Sequence, residues 1–318
     1  MILAGDIGGT KTLLALFEPG PTGLREITRQ RHASGDHARF SDLLTAFLED
    51  TRPGPLDAVA IGVAGPVIDG QCRTTNLPWT LSTAELRQRL GTSRVHLLND
   101  LQATAYGMLH LETQDFAILN EGQAGHGNAA VIAAGTGLGE AILFRDDRDR
   151  WHPLATEGGH CDFAPLDPQQ DRLLAWLRRR HPDHVSIERI LSGPGLVALH
   201  AFIHHDRGGE APSVDAEAIT RAALDDADPH CLEAVRLFAR LYGAEAGNLA
   251  LKSLARGGLF LGGGIAPKIL PVLRQGEFIA AFIAKGRFAP LLEQIPVRVS
   301  LNESTALLGA AWYAHDRG

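Results

Sequence analysis

Four side chains able to do chemistry stand within six positions of the segment ATEGGHCDFAP, residues 155–165: Glu157, His160, Cys161 and Asp162. Carboxylate, imidazole and thiol together can ligate zinc, pair a thiol nucleophile with a base, or hold a ligand rich in hydroxyls. A Glu-x-x-His pair shares one face only where the segment is helical. Gly158 and Gly159 lie between them, and two glycines disfavour a helix interior. The segment therefore reads as a loop. Within it, Asp162 suits a loop cap, and Cys161 reads as a small buried thiol beside Phe163 rather than a nucleophile.

Asn99 and Asp100 form a second candidate, at the end of the apolar run RVHLLND and just before the helical LQATAYGML. Open α/β sheets place ligands at the carboxyl ends of strands. From the residues alone, Asp100 is either such a ligand-facing carboxylate or the cap of the helix that follows.

Three glycine turns complete the set. The run Gly5-Asp-Ile-Gly-Gly-Thr-Lys-Thr12 departs from a P-loop at one position, because that motif has glycine where Thr10 stands. A P-loop also opens a helix, whereas LLALF reads as a strand, and Asp6 interrupts an apolar run. Gly135-Thr136-Gly137-Leu138-Gly139 carries part of a dinucleotide fingerprint, but EAILF after it is again strand-like. Two strand–turn–strand loops of this kind can close on a polyphosphate, with backbone N–H groups and threonine hydroxyls as donors. Gly262-Gly263-Gly264 follows a strand and opens a helix, leaving bare backbone for a flat ring or a phosphate.

Periodicity supplies the elements that must hold these residues. ILAGDIGGTKTLLALFE reads as strand, turn, strand, and AAVIAAGTGLGEAILF repeats that device further along. STAELRQRLG is a short helix with a Ser82–Glu85 capping box and Gly91 at its stop. Strand–helix alternation over the first hundred residues indicates an α/β domain, and helices dominate after about residue 168. A chain of 318 residues suits two domains. Net charge −7 and a pI near 6.0 argue against a nucleic-acid partner. Three scattered cysteines supply neither a disulfide framework nor a zinc knuckle, and a cytoplasmic setting is expected. The opening MILAGDIGG lacks a basic n-region, and no apolar run approaches 18 residues, so neither a signal peptide nor a membrane span is expected.

Taken in order, GDIGGTK, AGTGLG and GGLFLGGGI resemble the two phosphate loops and the adenosine motif of the actin-like ATPase and sugar kinase superfamily. LLND, TEGGHCDFAP, ERILSGPGL and LFLGGGIAPKIL are similar to the bacterial ATP-dependent glucokinase family, colinear through most of the chain. The sister repressor–kinase group carries a cysteine-rich zinc motif that is missing here. The resemblance implies an α/β, two-domain, actin-like (ribonuclease H-like) fold with a central ligand cleft. Residues 1–108 would form a small domain, with a C-terminal helix at 303–318 packed back on it, and residues 109–302 a large one. It implies transfer of the γ-phosphoryl group of ATP to the 6-hydroxyl of D-glucose, the first step of glycolysis. The alternatives are a kinase for another hexose, or a sugar-sensing regulator without turnover.

By the same resemblance Asp100 is the catalytic base, and Asn99, Glu157, His160 and Glu188 hold the sugar. ATP falls to Gly5, Asp6, Ile7, Gly8, Gly9, Thr10, Gly135, Thr136, Gly137, Gly262, Gly263 and Gly264. Asp6 orients water on Mg²⁺, and the chain forms a homodimer. Lys11 stands where the family often carries Asn, which leaves it as a γ-phosphate contact or a surface residue.

Overall fold

The computed structural model describes residues 1–317 except Thr22 and Asn76. The chain divides into two units, and the first comprises Met1–Asp115, Arg150–Ala155 and Asn302–Gly318. It reaches past the boundary expected at 108, and it takes back a short later segment that no composition change marks. Its strands are β1 (Ile2–Ile7), β2 (Lys11–Gly20), β3 (Gly23–Ala33), β4 (Ala58–Val63), β5 (Gln71–Arg73), β6 (Thr80–Ser82) and β7 (Val95–Asn99). The main sheet runs β3-β2-β1-β4-β7. β1 pairs antiparallel with β2 and parallel with β4, and β4 pairs parallel with β7. Parallel strands β1, β4 and β7 therefore bring Asp6 and Asn99 to the same end of the sheet.

Each face of this sheet is covered because its alternate side chains are apolar. The helix Phe40–Thr51 buries Leu43, Leu44 and Phe47 in one cluster with Leu3, Ile61 and Val95. On the other face the helix Thr305–Asp316 sets Leu307, Ala310, Ala311 and Ala314 against Ile2, Ala4, Ala15 and Ala60. Small residues on both sides permit close approach. A Cβ on Gly309 would run into the Ala103 carbonyl, and one on Gly107 into the Thr305 carbonyl. Those contacts fix the helix Asp100–Met108 against the C-terminal helix. The short helix Thr83–Leu90 does end at Gly91 in a left-handed conformation, but Ser82 makes no side-chain capping bond, contrary to the expected box.

The second unit, Phe116–Asp149 and Thr156–Leu301, is built on β8 (Phe116–Asn120), β9 (Ala129–Ala134) and β10 (Leu138–Arg145). Strand β11 (Trp151–Ala155) belongs to the segment returned to the first unit, and β12 (Gly258–Gly262) and β13 (Val297–Ser300) complete the second. Here the order is β10-β9-β12-β13-β8, with β9 antiparallel to β10 and parallel to β12. A glycine hairpin beside a parallel strand thus occurs in both units, as the repeat in the sequence suggests. The helix Pro229–Ser253 packs against this sheet, and Tyr242 Oη donates to the Ile132 carbonyl at 3.1 Å. No helix among the described residues is long and apolar enough to cross a membrane.

Candidate active site

In the first unit the glycine turn joins β1 to β2 as a hairpin, with Ile7 opposite Thr12, so no helix follows it. Gly5 is buried in β1 between Leu14 and Ile61, and Ile7 is core. The turn proper is Gly8, Gly9 and Thr10, held by the Gly8 N–H donating to the Lys11 carbonyl at 2.9 Å. Ser34 Oγ donates to the Gly8 carbonyl at 2.8 Å and shares a hydrogen bond with the buried Thr12 hydroxyl at 2.9 Å. Thr12 is thereby structural.

Asp6 closes the strand beside this turn. Its carboxyl is pushed up to about 6, first by burial and then by the negative charge of Asp100, with Lys11 opposing. Asn99 caps the helix Asp100–Met108 in a capping box with Gln102. Its Oδ1 accepts from the Leu101 N–H at 2.9 Å, and its backbone N–H donates to Gln102 Oε1 at 3.0 Å. Asn99 Nδ2 donates to the Gly65 carbonyl at 3.2 Å. Asp100 Oδ1 also accepts from the Leu101 N–H, at 2.9 Å. The cap is centred on Asn99, and Asp100 is the first helical residue.

In the second unit Gly135, Thr136 and Gly137 turn between β9 and β10, closed by the Gly135 N–H on the Gly137 carbonyl at 2.8 Å. Glu188 reaches this turn: its Oε2 accepts from the Leu138 N–H at 2.9 Å, and a Cβ on Gly137 would meet that oxygen. The Gly193 N–H donates to the Gly135 carbonyl at 2.8 Å. Ser192 Oγ donates to the Glu188 carbonyl at 2.8 Å and accepts from the Gly195 N–H at 3.1 Å. The ERILSGPG segment and the second glycine turn are one assembly.

Gly158–His160 form a single 3-10 turn after Glu157, so the loop assignment holds. Both glycines are required by space. A Cβ on Gly158 would collide with the Glu140 carboxylate, and one on Gly159 with the Leu138 carbonyl. His160 and Glu188 line a pocket of 360 Å³ together with Arg180, His184, Ser186 and Arg189. Glu157 is exposed and not among its lining residues. Two expectations fail here. Cys161 is exposed, because its backbone is spent on the Ile187 and Gly158 hydrogen bonds that turn its side chain outward. Asp162 Oδ1 pairs with His184 Nε2 at 2.8 Å and makes no capping hydrogen bond among the described residues.

Glu140 is the residue that sequence inspection missed. It is 2% exposed on β10, and burial foremost, then Glu245, raise its carboxyl to about 7 against the opposing Lys252. Its backbone carbonyl accepts from Thr156 Oγ1 at 2.9 Å, which ties β10 to the glycine loop. The available signal was a carboxylate inside the apolar run EAILF. In the third turn Gly262 belongs to buried β12. Gly263 has φ +76 and no room for a Cβ against the Ala134 carbonyl, whereas a Cβ on Gly264 would meet open space.

Glycine hairpins at parallel strand ends in both units, carboxylates beside the first, and a carboxylate–imidazole loop beside the second define a sugar kinase of the actin-like ATPase fold. The chain belongs to the glucokinase family, whose model matches residues 3–317. It is 39% identical over 341 residues to the glucokinase of Synechocystis sp., covering 97% of this chain and 96% of that one. Among solved structures, the glucokinase of an Antarctic psychrotroph superposes with a TM-score of 0.91 at 32% identity, over 99% of this chain and 98% of that one. A ROK family glucokinase from Streptomyces griseus, in complex with glucose and AMPPNP, shares the fold with a TM-score of 0.64 at 22% identity, over 99% of each chain.

Proposed function

We infer that the chain is an ATP-dependent glucokinase in which Asp100 is the general base. The observation that carries this assignment is the parallel register of β1, β4 and β7, which aligns Ile7, Val63 and Asn99 and so brings Asp100, at the start of the next helix, to the end of the sheet that carries Asp6 and the first glycine turn. The 6-hydroxyl of glucose gives its proton to Asp100 as its oxygen attacks the γ-phosphorus. The bond from phosphorus to the bridging oxygen of ADP breaks, and glucose 6-phosphate and ADP leave. Phosphoryl transfer needs little covalent assistance, so in-line placement and charge neutralisation supply most of the rate.

Asn99 is already oriented by Leu101 and Gly65, and it offers its remaining amide capacity to sugar hydroxyls. Glu157, His160 and Glu188 hold the other hydroxyls. Glu188 couples that grip to the second glycine turn through Leu138. The turns at Gly8–Thr10, Gly135–Gly137 and Gly263–Gly264 receive the nucleotide. The donor set at Asp6 fits Mg²⁺, a hard cation that favours carboxylate oxygen and retained water, because a partly buried carboxylate beside a second one gains from a nearby dication. When bound, Mg²⁺ would neutralise phosphate charge, and Asp6 would hold it through water.

The family resemblance also supports a homodimer and a cytoplasmic location. A coupled assay for sugar-dependent ADP release tests the activity. Stoichiometric ADP release with glucose is expected, and ATP hydrolysis indifferent to sugar would overturn it.

A further inference from the structure

Two helices of the second unit bring together imidazole, thiol and carboxylate at residues to which the candidate active site gives no role. His200 and His204 lie four residues apart on the helix Gly193–Asp206, the spacing that places both rings on one face. Asp228 caps the helix Pro229–Ser253, and His230 and Cys231 follow in its first turn. Ligand atoms of His200, Asp228 and Cys231 all fall within 4.8 Å of one another. The His204 ring packs against both other imidazoles, its centroid 4.7 Å from that of His200 and 4.3 Å from that of His230.

Two features separate this cluster from ordinary packing. His200 is 1% exposed, yet its Nε2 has no hydrogen-bond partner, and the Nε2 of His204 is likewise buried without one. Buried polar atoms are normally satisfied, and an imidazole with an unpartnered nitrogen beside a thiol and a carboxylate is what a metal would complete. Asp228 accepts from the His230 N–H at 2.8 Å through Oδ1, and a carboxylate accepts at two oxygens, so Oδ2 can ligate while the cap is kept.

We propose that His200, Asp228 and Cys231 form a zinc-class metal site joining these two helices, with the His204 ring packed beside it. The donor set selects the metal. A thiolate and imidazoles suit Zn²⁺ and other late first-row cations, whereas Mg²⁺ and Ca²⁺ take all-oxygen sites. On binding, the Cys231 thiol gives its proton to the buffer and its sulfur joins the metal. The site holds the helix whose N-terminus, through Ser192, is bonded to the Glu188 carbonyl.

The test uses the full-length protein stripped with chelator and titrated with Co²⁺ as a spectroscopic probe. One Co²⁺ per chain is expected, with tetrahedral visible bands and a thiolate-to-cobalt charge-transfer band that Zn²⁺ displaces. The charge-transfer band disappears in Cys231→Ser and persists in Cys161→Ala, which removes the exposed competing thiol. Zn²⁺ also raises the Tm of the wild-type protein by a few degrees, a readout independent of whether Cys231→Ser folds. Absence of stoichiometric uptake by the wild type overturns the proposal, as does a band that survives Cys231→Ser or is lost in Cys161→Ala.

Discussion

Asp100 raises the proton affinity of Asp6. Asp6 lies on β1 and Asp100 opens the helix that follows β7, so both carboxylates stand at the same end of the first sheet, with β4 between the two strands, and Lys11 opposes the rise at Asp6.

Removing the charge of Asp100 therefore lowers the Asp6 pKa. In Asp100→Asn the Asp6 carboxyl, pushed up to about 6 in the wild type, titrates closer to its ordinary value, because burial remains and the repulsion is gone. Carboxyl ¹³C titration of aspartate-labelled protein reads this directly. An unmoved Asp6 resonance would separate the two groups.

Glu140 sets a pH dependence of stability. Its folded pKa of about 7 lies above the ordinary 4.5, so the folded state binds this proton more tightly than the unfolded one. The group's contribution is full below about 4.5 and is lost as pH rises through about 7. Glu140→Gln should flatten that loss between those pH values in urea unfolding. An unchanged slope would contradict a buried protonated Glu140.

The third glycine turn offers a paired test. Gly263→Ala forces a side chain into positive φ and the Ala134 carbonyl, and should cost about 1–3 kcal/mol of stability. Gly264 has φ −81 and open space, so Gly264→Ala should stay within about 0.5 kcal/mol of the wild type. Its KM for ATP should nevertheless rise several-fold if the nucleotide lies on that bare backbone. An unchanged KM would move the nucleotide elsewhere.

Thiol chemistry distinguishes Cys161 from its two buried counterparts. A small thiol reagent should modify one cysteine in the native protein and all three after unfolding. Slow modification of Cys161 would return it to the buried state first expected of it.

Much of the fold was legible because its signals are local. Strand period and glycine turns announced β1–β2 and β9–β10, and Gly91 marked a helix end. What escaped depends on contacts distant in sequence. Burial of Glu140 follows from Gly158 lying over it, and the exposure of Cys161 from its backbone pairing with Ile187. Neither is visible in a window of a dozen residues. Asn99 and Asp100 were both singled out, but that the helix cap centres on Asn99 required the hydrogen bonds to Leu101 and Gln102. The His200–Cys231 cluster was invisible for the same reason, since its two halves are separated by a loop and a helix.

The central claim is that Asp100 takes the proton of the 6-hydroxyl, and turnover of Asp100→Asn under saturating glucose and ATP tests it most directly. The amide keeps the shape and part of the hydrogen bonding but accepts no proton. The expected result is a kcat lower by about a hundredfold or more, the usual cost of losing a general base, with glucose binding still measurable by calorimetry. Near-wild-type turnover in the folded variant would contradict the account and leave Asp100 as a helix residue alone.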